Sequence, residues 1–361
     1  MRHLPHSIVA LLLFVTPAGA LPPDRGRALD RAVLAELARQ DAVGLAVGVV
    51  EGGEVVYVSG FGYADRDLSE PVTPGTLFRW ASCSKPLTAV AAMQLVDGRK
   101  LDLDADVRTL VPEFPDKGVR ITPRQLLCHQ GGIVHYTNGR VVRTKREYPM
   151  PYPYRDVVLA LDKFKESPLV ARPGERYSYT THGYVLLSAV VERAGQQPFA
   201  DQVRDRIARP LGMTTLRPDY QWEDISGRAK GYRKVRGEIV PSLDADVSWK
   251  LGGGGYLSSV KDFARFARGL LRRELLSEKA EAVVWAPQRL AGGQPTTYGL
   301  GFNVDGAGEG LRVAHSGAQE KTRTRMVLYP RRHSAVVVMT NCEWVNPGQV
   351  ATAVFAALTG K

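Results

Sequence analysis

Strand-like runs stand at both ends of this 361-residue chain, with helical runs between them. Near the amino end, Leu45 to Val50 and Val55 to Val58 flank Glu51-Gly52-Gly53-Glu54. A Gly-Gly pair between two apolar runs predicts a hairpin, because glycine reaches the positive φ of a two-residue turn. Near the carboxyl end, Leu300 to Val304, Leu311 to Ala314, Thr324 to Tyr329 and Ala335 to Thr340 read as further strands, and a helix follows from Val350 to Leu358. Leu29, Val33 and Leu37 recur at helical spacing and predict an amphipathic first helix that ends before Gly44. Together these runs predict an α+β chain. An antiparallel sheet is built from both chain ends and flanked by helices, and a mostly helical region, about 102–251, is inserted in the middle.

Ser82-Cys83-Ser84-Lys85 stands just ahead of an apolar, helix-like run, Leu87 to Val96. Residues three apart share a helix face, so Lys85 can reach the Ser82 oxygen and take its proton. The same tetrapeptide also serves elsewhere as a plain serine-capped helix start, and it gains meaning only with partners. They follow in order. Tyr179-Thr180-Thr181 precedes a helical run, Tyr184 to Val191, ended by Gly195, and His315-Ser316-Gly317 closes the strand-like Leu311 to Ala314.

These three stretches resemble the signature motifs of the serine β-lactamase and penicillin-binding-protein superfamily, in its class C and D,D-peptidase branch. Framing stretches resemble it too: Arg124 to Ile133, Pro210-Leu211-Gly212-Met213, and Gly253 to Ser259 followed by Asp262. The likeness runs from about Arg27 to Thr359. Longer runs, Gly132 to Tyr136, Leu161 to Pro173 and Trp249 to Gly254, are similar to those of the mitochondrial serine β-lactamase-like proteins and their bacterial relatives. The resemblance implies an active-site serine hydrolase working through an acyl-enzyme. Ser82 would be the nucleophile, and Lys85 with Tyr179 would handle its proton. The backbone N–H groups of Ser82 and Ala318 would form an oxyanion hole, in which one donor is worth about 3 kcal/mol. Thr181, His315, Ser316 and Gly317 would contact substrate. Two positions depart from the pattern: Thr181 stands where the branch has Asn, and His315 where β-lactamases carry Lys. A histidine is mostly neutral near pH 7, so both changes favour peptide, amide or ester substrates over β-lactams. A true β-lactamase, a carboxylesterase and, in another class, a non-catalytic binding protein of the same fold are the rival readings.

The first twenty residues read as a secretory signal: Arg2, the apolar Ile8 to Val15, and Ala18-Gly19-Ala20 before a cut at Leu21. That apolar run is too short to span a bilayer, and no later stretch is long and apolar enough to do so. A periplasmic or secreted protein with one catalytic domain over residues 21–361 is expected. The formal net charge is +11, spread along the chain without a nucleic-acid motif. It suits an exported enzyme facing anionic cell-envelope polymers. Of three cysteines, Cys83 and Cys128 read as small buried side chains, and pairing of Cys128 with Cys342 is left open.

Other patterns carry less. The Gly252 to Gly255 run lacks the Lys-Ser/Thr of a phosphate loop and marks a close backbone approach instead. His129 and His135 have no zinc-ligand spacing and read as structural; no metal or cofactor is expected. Asp102 to Asp106 reads as a solvated turn, and the proline-rich Tyr148 to Tyr154 as an extended connector.

Overall fold

The computed structural model describes residues 21–148 and 154–360. The expected signal segment and residues 149–153 of the proline-rich connector lie outside the described residues. Helix α1 (Pro23–Arg39) leads into the hairpin β1 (Gly44–Glu51) and β2 (Glu54–Asp65), and β3 (Glu70–Pro71) and β4 (Leu77–Arg79) follow before helix α2 (Ser84–Asp97). Then come α3 (Pro123–Leu127), α4 (Thr181–Gly195), α5 (Phe199–Val203), β5 (Arg217–Pro218), β6 (Tyr232–Val235) and β7 (Glu238–Pro241). The chain closes with α6 (Leu251–Gly254), β8 (Tyr256–Ser259), α7 (Val260–Leu271), α8 (Glu278–Val284), β9 (Asn303–Asp305), β10 (Arg312–Gln319), β11 (Thr322–Tyr329), β12 (Ser334–Thr340) and α9 (Pro347–Thr359).

The two chain ends meet in one sheet. Its order is β3-β2-β1-β12-β11-β10-β9, and β1 pairs antiparallel with β12 from Leu45 opposite Thr340 to Val50 opposite Ala335. The β1–β2 turn places both glycines at positive φ, Gly52 at 60° and Gly53 at 79°, the conformation a two-residue hairpin turn needs. Alternate residues then divide between two cores. Leu45, Val47, Val49, Val336 and Val338 face Leu29 and Val33 of α1 and Val350 and Val354 of α9. Ala46, Val50, Ala335, Val337 and Met339 face the larger core of α2, α4 and α7. Both faces are thus covered, so β1 is apolar and buried from Gly44 to Val50.

Helix α2 is buried on nearly every side from Ser84 to Met93, and α4 from Thr181 to Val191. Fully buried helices read as continuous apolar runs. In the inserted region, helix is concentrated in α4, and turns, short helical segments and the β6–β7 hairpin make up much of the remainder. A small sheet, β4-β8-β5, ties the entry to the Ser82 turn to the end of α6. β10 runs from Arg312 to Gln319, through the whole third motif and not merely up to it, because Val313 to Gln319 pair with β11. β9 begins only at Asn303, three residues later than the alternation predicts. The three cysteines are buried free thiols.

Candidate active site

Ser82 lies in a single 3₁₀ turn, Ala81–Cys83, directly ahead of α2. Entry to the turn is held from several sides. Trp80 is fully buried against Phe263 and Phe266, with ring centroids at 4.4 and 5.6 Å, and its Nε1 donates to Ser258 Oγ at 2.7 Å. Two threonines of β11 take the carbonyls of the turn: Thr322 Oγ1 donates to Arg79 O at 3.0 Å and Thr324 Oγ1 to Trp80 O at 2.8 Å. Ala81 adopts φ 47°, a left-handed conformation that costs a non-glycine residue of order 1 kcal/mol and is kept only where neighbours enforce it.

Lys85 is wholly buried, and its Nζ lies 3.0 Å from Ser82 Oγ, 3.3 Å from Thr181 Oγ1 and 2.8 Å from the Gly253 carbonyl. Burial, then the charge of Lys250, pushes its pKa well below the ordinary 10.5. Tyr179 stands just before the first turn of α4, which Thr180 caps by accepting from Gly183 N at 3.2 Å. Its ring lies 4.8 Å from Lys85 Nζ, its hydroxyl interacts with Ser82, and burial raises its pKa above 10.0. The phenol is therefore the protonated member of the pair and the lysine the one that can be neutral.

The third motif sits across from this turn. Gly317 has no room for a side chain: a Cβ there would lie 2.4 Å from Trp80 O and 2.9 Å from Ala81 Cβ. That contact lays the backbone of Gly317 and Ala318 beside Ala81 and Ser82. His315 is only 2% exposed, and both ring nitrogens are engaged within the protein. Nδ1 is 2.8 Å from the Ser316 carbonyl, which can only accept, so Nδ1 carries the hydrogen; Nε2 then accepts from the Tyr298 hydroxyl at 2.9 Å. Desolvation lowers the His315 pKa to about 3. The ring thus offers no free N–H to a substrate, contrary to the contact expected of it. Ser316 is exposed on the other face of β10, where its Oγ accepts from Arg325 at 2.8 Å; alternation along a strand requires this once His315 faces inward.

Several participants are absent from the three motifs. Gly253 supplies the carbonyl for Lys85, and a Cβ on it would lie 2.7 Å from Thr181 Cγ2, so the glycine run does mark a close approach. His129 Nδ1 accepts from Thr180 N and His135 Nδ1 from Thr181 N, each at 3.2 Å, and these bonds position the second motif. Thr322 and Thr324 left only the alternation of β11 as a signal, and Tyr298 left none. Among the described residues no group of His, Cys, Asp or Glu could hold a metal ion.

A serine hydroxyl facing a buried lysine and a neutral tyrosine on this scaffold defines a serine hydrolase. The chain belongs to the beta-lactamase family, whose model matches residues 29–361. It is 31% identical over 295 residues to the human mitochondrial serine beta-lactamase-like protein LACTB, an alignment covering 64% of this chain and 53% of that protein. It therefore spans about half the length of that relative. It is 27% identical over 336 residues to a D-aminopeptidase of Gluconobacter oxydans, covering 92% of this chain and 62% of the relative. Among solved structures, the octameric penicillin-binding protein homologue of Pyrococcus abyssi superposes with a TM-score of 0.77 at 27% identity, covering 92% of this chain and 77% of the other.

Proposed function

We propose that this protein hydrolyses peptide, amide or ester substrates by acyl transfer through Ser82. The observation that carries the reading is the set of partners around Lys85. A neutral amine has two N–H groups and one lone pair. The Gly253 carbonyl can only accept, the Thr181 hydroxyl can accept the second N–H, and the lone pair is left for the Ser82 hydroxyl. Ser82 Oγ attacks the carbonyl carbon while its proton passes to Lys85. Tyr179 gives its phenolic proton to the departing amine or alkoxide and is reprotonated from Lys85. Water then attacks the acyl-enzyme by the reverse relay and frees Ser82. The N–H groups of Ser82 and Ala318 receive the oxyanion. Because His315 is neutral and internally bonded, the position where β-lactamases carry Lys holds no charge, which supports peptide-like or ester substrates over β-lactams.

Ser82→Ala should abolish fluorophosphonate labelling and turnover across D-amino-acid peptides, L-peptides, short-chain esters and nitrocefin, while Ser84→Ala keeps most of both. Labelling that survives Ser82→Ala overturns the assignment, and a dead wild type across the panel favours a binding protein. Efficient nitrocefin turnover above every ester and peptide would reverse the substrate preference. Export is part of the proposal, resting on Arg2, Ile8 to Val15 and Ala18-Gly19-Ala20. Terminal sequencing of protein from its host should then read Leu21 first.

A further inference from the structure

Lys250 has no task in that relay. It ends the 3₁₀ turn Ser248–Lys250 and leads directly into α6, whose Gly253 carbonyl holds Lys85. Only 9% of the residue is exposed, yet among the described residues its ammonium has no hydrogen bond and no ion pair. The carboxylates whose charge reaches it, Glu320 and Asp246, stand beyond ion-pair distance, and Asp246 is already engaged by Ser248 N and Oγ at 2.9 and 2.5 Å. A lysine so largely withdrawn from water without an anion is costly, and such groups are ordinarily paired.

The surroundings show where the missing anion would enter. Lys250 Nζ lies 5.9 Å from the Trp249 ring, Trp249 is 5.5 Å from His182, and His182 is 6.0 Å from Tyr136. Tyr136 is 54% exposed, and its hydroxyl interacts with Thr181. The Lys250 charge is felt at Lys85, His135 and His182. A leaving group departs past Tyr179, whose ring is 6.4 Å from His315. In the proposed reaction the acyl part retained on Ser82 lies on the Thr181 side, and Lys250 leads into α6, whose Gly253 packs against Thr181.

We propose that Lys250 is the specificity-determining cation of this cleft: its ammonium receives a carboxylate carried on the acyl part of the substrate and disfavours acyl groups ending in a free ammonium. The assignment rests on acyl transfer through Ser82 and names the substrate class for that site. A hydrogen-bonded partly buried charge pair of this kind is worth about tenfold to a hundredfold in binding.

The test compares one peptide anilide in N-succinyl, N-acetyl and free-amine forms, so that the leaving group is constant. In the wild type, kcat/KM should fall in that order, with succinyl exceeding acetyl by about tenfold or more. Lys250→Met should bring the succinyl-to-acetyl ratio to about one, while Lys250→Arg keeps succinyl ahead. A merely structural role would lower all three substrates together and leave the ratio in place. A wild-type ratio of one or less overturns the proposal without any variant, as does Ser82-dependent turnover whose ratio is unchanged in Lys250→Met. Absence of Ser82-dependent turnover for all three forms instead overturns the hydrolase reading, and this assignment with it.

Discussion

The Gly253 carbonyl accepts a 2.8 Å hydrogen bond from Lys85 Nζ across 168 residues of chain. It fixes the amine between α2 and α6 and leaves its free electron pair for Ser82. The base form of Lys85 is neutral, so kcat/KM should rise with pH through the Lys85 pKa. Burial and Lys250 hold that pKa well below 10.5, so the limb should end well short of the ordinary lysine range. Lys85→Ala should cost about 10²- to 10⁴-fold in kcat. Lys250→Met, by removing a neighbouring positive charge, should move the limb upward. A limb centred at the ordinary lysine value would contradict the assignment of Lys85 as base.

Four buried histidines, His129, His135, His182 and His315, make the fold acid-sensitive without making the chemistry so near neutrality. Desolvation first, then neighbouring cations, lowers His135 to about 4 and His315 to about 3; desolvation likewise lowers His182 to about 4, against a partly compensating bond to the Val134 carbonyl. In the unfolded chain they titrate near 6.5. Between these values the unfolded chain binds more protons than the folded one. Stability is therefore full above about pH 6.5 and falls as pH drops towards 4, by up to about 1.4 kcal/mol per histidine per pH unit. Denaturant midpoints at successive pH values should show the fall. Imidazole NMR signals from these residues that titrate near 6.5 in the folded protein would contradict it.

Gly317→Ala tests the contact between the third motif and the Ser82 turn. Its Cβ would meet Trp80 O at 2.4 Å and Thr324 Oγ1 closer still, so β10 or the turn must move. Overpacking of this kind costs about 1–3 kcal/mol. A shift of about 1 Å at a reacting centre costs about a hundredfold in rate. The variant should remain folded by circular dichroism and lose at least that much activity; near-normal turnover would show that β10 does not border the reacting carbonyl.

Asp219→Asn probes the entry to the same turn from the opposite side. Asp219 is 1% exposed and pairs with the equally buried Arg79 at 2.5 Å and with Arg228. Removing its charge leaves Arg79 uncompensated and should cost about 3–5 kcal/mol. Asp201→Asn, at a solvent-exposed pair with Arg204, should cost under about 1 kcal/mol. Equal midpoints for the two variants in urea would show that the buried pair contributes nothing.

The amino-acid sequence by itself determined the parts that depend on local periodicity. The Glu51 to Glu54 turn, α2 behind Ser82, α4 behind Tyr179 and the terminal helices follow from residue spacing, since a helix or strand buries whichever face its apolar residues occupy. The spacing of Ser82 and Lys85 likewise implied their meeting at 3.0 Å. Tertiary structure alone decided what each polar group has for a partner. Nothing near His315 in sequence shows that Tyr298 will take its Nε2, that β10 will extend through it, or that Ser316 will turn outward to Arg325. Lys250 follows a tryptophan and precedes a glycine run as any solvated lysine could. Only the closure of α6 against α2 and α4 buries it without a counter-ion, because desolvation is a property of the packed volume around a group and not of its neighbours along the chain.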